Sequence, residues 1–122
     1  MAHKILLVDD SPTVLLMERM VLAKLPCQLL TAKDGQEAVE VAQAEKPDLI
    51  LMDVVMPRMN GFEACREIRA SEATRDTPVI LITTRGELVS AQTGYEAGCN
   101  DYLTKPINGV ELLAKVKSIL GL

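Results

Sequence analysis

Asp9, Asp10, Asp53, Thr83, Thr84 and Lys105 carry the groups in this chain whose types and placement could do chemistry together. Three carboxylates set against one ammonium leave an excess of about two negative charges, which repel at close range unless a cation intervenes. Hard oxygen donors, with no imidazole or thiolate beside them, select Mg2+ or a similar ion over zinc. A carboxylate is ionised at neutral pH and needs no general base to attack phosphorus, so one of these aspartates can form an aspartyl phosphate. The metal and Lys105 would then neutralise charge on the transferring phosphoryl group, where most of the catalysis of such a step lies. Any one of these acids alone reads as a solvated loop charge. The matched set argues otherwise, because each member follows a short apolar run.

Those runs are Ile5-Leu6-Leu7-Val8, Leu49-Ile50-Leu51-Met52 and Val79-Ile80-Leu81-Ile82. Each is continuous, which is how a strand reads when both faces of its sheet are covered. Weaker strands are expected at Gln28 to Thr31 and at Asp101 to Thr104, the latter at an edge. Helix signals fall between them. Ser11-Pro12 is an N-cap with a first-turn proline, opening a helix to about Leu25. Asp34 with Glu37 has the spacing of a capping box for a helix ending before Pro47, and Asn60 with Glu63 opens a third helix to Ala70. A fourth is expected from Glu87 to Ala97, and Asn108 with Glu111 opens the last, whose stripe is Leu112, Leu113, Val116, Ile119 and Leu120. Strand and helix therefore alternate five times, which predicts an α/β fold with a parallel sheet covered on both faces. In such a sheet the carboxyl ends of the strands share one edge, so three carboxylates, a hydroxyl and the ammonium should converge there. No linker or repeat divides residues 1–122, which read as one domain.

Composition agrees with a globular chain: 122 residues, 48% hydrophobic and 25% charged. The net charge of −4 argues against direct nucleic-acid binding, which wants a basic face. Cys27, Cys65 and Cys99 are odd in number, widely spaced and expected to be reduced. No signal peptide and no span-length apolar segment is seen, so we expect a soluble cytoplasmic protein without membrane insertion. His3, the lone histidine, is expected to be exposed and is no catalytic candidate.

The segments ILLVDDSP, LILMDVVMPRMNGFEACREIR, TPVILITT and NDYLTKP resemble the receiver domains of bacterial two-component response regulators over essentially the whole chain. The resemblance implies a flavodoxin-like (βα)5 three-layer sandwich with a five-stranded sheet in order 2-1-3-4-5. It implies that Asp53 is the phosphoacceptor, and that Asp9 and Asp10 serve Mg2+, with Asp10, Asp53 and the Val55 backbone carbonyl as direct ligands. Thr83 and Lys105 would bind the phosphoryl group, Tyr102 would be the switch aromatic, and the Lys105–Pro106 bond would be cis. The function implied is a phosphorylation-activated switch that takes its phosphoryl group from a histidine kinase. It would signal to a protein target through the fourth helix, fifth strand and fifth helix, as a monomer or weak dimer. Such a module is no conventional enzyme, although it catalyses its own phosphotransfer and slow dephosphorylation.

Val55, Thr84 and Arg85 depart from the commonest chemotaxis-type pattern, which makes them candidate modulators of the lifetime of the phosphorylated state. A haloacid-dehalogenase-type phosphatase would want an acid where Val55 stands. A flavodoxin-like electron carrier would want aromatics in a chain that is only 2% aromatic. A receiver that docks without phosphorylation would not need the intact acid set. With no residues after the last helix, we expect either a single-domain regulator of the chemosensory or surface-motility type, or a piece of a longer protein.

Overall fold

The computed structural model describes residues 3–84 and 88–122; the side chains of residue 84 and of 88–92 are outside that description, as are Arg85 and the expected helix start at Glu87. The three continuous apolar runs form β1 (His3–Val8), β3 (Leu49–Asp53) and β4 (Val79–Thr84), and the weaker ones form β2 (Cys27–Ala32) and β5 (Asp101–Lys105). All pairings are parallel, in the order β2-β1-β3-β4-β5. This is the flavodoxin-like sheet, with β2 as well as β5 at an edge.

Period-two alternation sends the strand residues into two separate layers. Ile5, Leu7, Leu49, Leu51, Ile80 and Ile82 pack with Leu22, Leu112 and Val116 of the first and last helices. Leu6, Val8, Ile50, Met52, Val79 and Leu81 pack with Ala38, Ala42, Ala64, Cys65 and Ile68 of the second and third. The middle strands are buried on both faces, which is why they read as unbroken apolar runs.

The helices are α1 (Pro12–Leu22), α2 (Gly35–Glu45), α3 (Gly61–Ala70), α4 (Leu88–Ala97) and α5 (Gly109–Leu120). Ser11, Asp34, Asn60 and Asn108 each cap a helix through a side-chain oxygen that accepts a backbone N–H. At Asn60 the box is reciprocal, with the Glu63 side chain accepting from the Asn60 amide at 3.0 Å. α1 ends at Leu22, three residues short of the Leu25 expected from sequence. Pro26 disfavours helical geometry at Leu25, and the chain instead turns, with the Leu25 amide donating to Leu22. His3 is half-buried rather than exposed, with Nδ1 3.9 Å from Asp48. All three cysteines are free thiols. Among the described residues no helix is long and apolar enough to cross a membrane.

Candidate acidic site at the carboxyl edge of the sheet

β1 and β3 are neighbours, and the chain leaves β1 toward one edge of the sheet and returns to build the other. That switch in strand order opens a crevice at their carboxyl ends. Asp9 and Asp10 follow β1, and Asp53 is the last residue of β3. Each offers a carboxylate oxygen, and the three oxygens lie within 4.8 Å of one another. Asp9 and Asp53 are buried, whereas Asp10 is exposed.

Lys105, the last residue of β5, spans the pair. Its Nζ lies 3.3 Å from Asp9 Oδ2 and 3.3 Å from Asp53 Oδ1. The Lys105–Pro106 peptide bond that follows is cis. Asp9 Oδ1 accepts from the Ser11 amide at 2.9 Å, so one aspartate holds both the start of α1 and the ammonium. Asp53 Oδ1 also accepts from the Val54 amide, at 3.0 Å. Burial pushes the Asp53 carboxyl above the usual carboxylate range, and the Asp9 charge adds to that, against the opposing pull of Lys105. Burial pulls the Lys105 ammonium down, but the Asp53 and Asp9 charges outweigh it and raise it on balance.

The donor set fits a hard divalent cation. Asp9 Oδ2 is buried and ion-paired with Lys105 but has no hydrogen-bond partner, and the cluster sets three carboxylates against a single ammonium that reaches two of them. A cluster so short of positive charge, with two of its three carboxylates buried, is costly unless a further cation joins it.

Gly61 opens α3 against the backbone of Asp53. A Cβ there would stand 2.4 Å from the Asp53 carbonyl oxygen and 2.9 Å from Val54 Cα. Only glycine lets the first turn of α3 approach the backbone of Asp53 this closely. Thr83 is buried at the end of β4, one residue beyond Ile82, which pairs with Asp53. Val55 is exposed, at 66%, on the loop that leaves Asp53. Tyr102 is half-exposed on β5, its ring edge-on to Tyr95 of α4 at 5.8 Å and 84°. Met56 and Met59 pack against the core cluster beneath α2 and α3.

Two further residues, Tyr95 and Glu18, were not legible in the sequence. Tyr95 forms the aromatic partner of Tyr102, a contact between separate elements that no local pattern announces. Glu18 is fully buried on α1, with neither carboxylate oxygen hydrogen-bonded. Its spacing from Leu15 and Leu22 placed it on the inward face, and a break in that apolar stripe was the available signal.

Comparison with known protein families matches residues 5–117 to the response regulator receiver domain. Protein PilH of Pseudomonas aeruginosa is 41% identical over 118 residues, covering 97% of this chain and 98% of that protein. The alkaline phosphatase synthesis transcriptional regulatory protein PhoP of Bacillus subtilis is 38% identical over 98% of this chain, which spans only 49% of PhoP. Among solved structures, the receiver domain of the sensor histidine kinase PA1611 of P. aeruginosa superposes with a TM-score of 0.90 at 34% identity, over the full length of both chains. That structure has a magnesium ion coordinated in its active-site cleft. With its acid pair, strand-end aspartate and bridging lysine on one sheet edge, this chain belongs to the response regulator receiver domains of two-component signalling.

Proposed function

We propose that this receiver is switched by phosphorylation of Asp53, with a histidine kinase as donor and a protein as output target. One observation carries the reading: a single ammonium lies 3.3 Å from each of two buried aspartates, within a cluster of three carboxylates. The Asp53 oxygen attacks the phosphorus of a phosphohistidine or acyl phosphate. The new O–P bond forms as the bond to the donor breaks, and the electron pair leaves with the donor. Lys105 lies where it can pair with the incoming phosphoryl oxygens. Mg2+ held by Asp10, Asp53 and the Val55 carbonyl, with Asp9 supporting it, would add positive charge against those oxygens. The metal-bound cleft of the PA1611 receiver supports this assignment.

The new acceptor oxygens draw the Thr83 hydroxyl toward Asp53. Movement at the end of β4 makes room for Tyr102 to turn inward, away from Tyr95, and reshapes the α4–β5–α5 surface that the target reads. Val55, Thr84 and Arg85 set how long the phosphorylated state lasts. The chain acts in the cytoplasm as a monomer or weak dimer, in a chemosensory or surface-motility pathway.

The test is incubation with acetyl phosphate and Mg2+, read by intact mass. One added phosphate is expected, and Asp53→Asn should abolish it. Labelling that persists in Asp53→Asn would reassign the acceptor.

A further inference from the structure

The loop from β3 to α3 leaves Asp53, carries Val55 and ends at the Asn60 cap. Its two ends are anchored differently. At the near end the Val54 amide donates to Ile82 at 3.1 Å, and the Val54 carbonyl accepts from Gly61 at 2.8 Å. At the far end the loop is fastened to the start of α2. The Gly35 amide donates to the Met59 carbonyl at 3.1 Å, and a Cβ at position 35 would stand 2.3 Å from that oxygen. Beside this contact, Arg58 Nε donates to Asp34 Oδ2 at 3.1 Å, and a terminal nitrogen of the same guanidinium reaches the same oxygen.

Asp34 is well prepared to hold that cation. It is buried, and its other oxygen accepts from the Glu37 amide at 2.9 Å as the N-cap of α2. The cap engages Oδ1 and leaves Oδ2 to meet the arginine. The Glu37 amide first and the Arg58 guanidinium second hold this carboxyl below the usual range, so it stays charged. Arg58 sits in the left-handed region, at φ 66, where a residue with a Cβ is disfavoured. That backbone cost is one that the pairing of its side chain with Asp34 can offset. The pair itself is half-exposed, with the arginine side chain at 67%, so it contributes little to global stability. Its effect falls on the segment between the two anchors, which contains Val55, Met56 and Pro57.

We propose that Asp34 and Arg58 are a positioning pair that clamps the β3–α3 loop to α2 and thereby holds the Val55 carbonyl where it serves the metal. This rests on the metal reading above. Neither residue touches the acidic cluster. They act through the loop, and α2 is the fixed body against which the loop is held.

The test measures the Mg2+ Kd by NMR titration of backbone amides, with no phosphodonor present. Asp34→Asn keeps a good N-cap while removing the charge that holds Arg58. Arg58→Gly removes the guanidinium while easing the left-handed backbone. Each is expected to weaken Mg2+ binding roughly three- to tenfold, less than the 10–100-fold typical of groups that contact a ligand directly. The double variant should be no weaker than either single one, and Arg58→Lys should recover part of the loss. The melting temperature, read by circular dichroism, should move little in all four. Wild-type binding with unchanged affinity in both single variants, or losses that multiply in the double variant, would overturn the pair's role and leave the metal reading standing. A wild type that binds no Mg2+ at millimolar concentration would overturn both.

Discussion

Glu18 is the residue at which burial and ionisation conflict most directly. Its side chain is sealed inside, its oxygens have no hydrogen-bond partner, and Asp9, Asp53 and Lys105 are the charged groups that face it. Burial first, and the Asp9 charge second, raise its carboxyl from 4.5 to about 8, against the pull of Lys105. The native state therefore keeps a proton that the unfolded chain releases. The stability this proton confers is fully present below about pH 4.5 and is lost as pH rises toward 8. Over that interval Glu18 makes stability fall by up to about 1.4 kcal/mol per pH unit. Urea melts of metal-free protein at pH 5.5, 6.5 and 7.5 should show this decline in wild type. Glu18→Gln, a neutral side chain of the same shape, should flatten it. Equal slopes in the two proteins would mean that Glu18 is ionised in the native state or that another group carries the proton.

At the scale of elements, the helices owe their starts to local chemistry and their mutual placement to distant contacts. Arg69, near the end of α3, shows the second kind. Its Nε donates to the Gly98 carbonyl at 2.9 Å, and its terminal nitrogens donate to the Thr77 carbonyl at 2.6 Å and to Asn100 Oδ1 at 2.8 Å. Asn100 Oδ1 also accepts from the Val79 amide, so one guanidinium ties α3 to the approaches of both β4 and β5. Arg69→Ala should cost roughly 2–3 kcal/mol, because it leaves backbone acceptors without their partner. Arg69→Lys should recover only part of that, since an ammonium lacks the fork that meets three oxygens. Chemical denaturation of the three proteins checks both. The caps at Ser11, Asp34, Asn60 and Asn108 were legible in the sequence because a cap is a short-range pattern. So were the strand ends, because the apolar runs are continuous and the polar residues follow them directly. The Arg69 clasp was not, since its partners lie 8, 29 and 31 residues away. The same holds for Asp34 and Arg58, 24 residues apart on two loops. Periodicity is silent on loop-to-loop contacts, and there geometry supplies what the sequence order conceals.

For the molecule as a whole, the sheet is a partition. Leu112 lies in the layer under α1 and α5, Ile68 in the layer under α2 and α3, and both are fully buried. Close packing transmits strain between side chains that touch, and these two are separated by the strand backbones. Leu112→Ala and Ile68→Ala should each cost about 2–5 kcal/mol as single cavities. Combined, they should sum to within roughly 0.5 kcal/mol, as independent sites do. A shortfall or excess well beyond that, in denaturant melts of the four proteins, would mean that the strands deform enough to pass strain across. Independence of this kind has an evolutionary consequence. Each layer can accumulate substitutions and repack under its own constraints, one beside the buried Glu18 and the other beneath the Arg58 clamp. The strands between them, answerable to both sides at once, should be the slowest-drifting part of the apolar core, which an alignment of relatives would check.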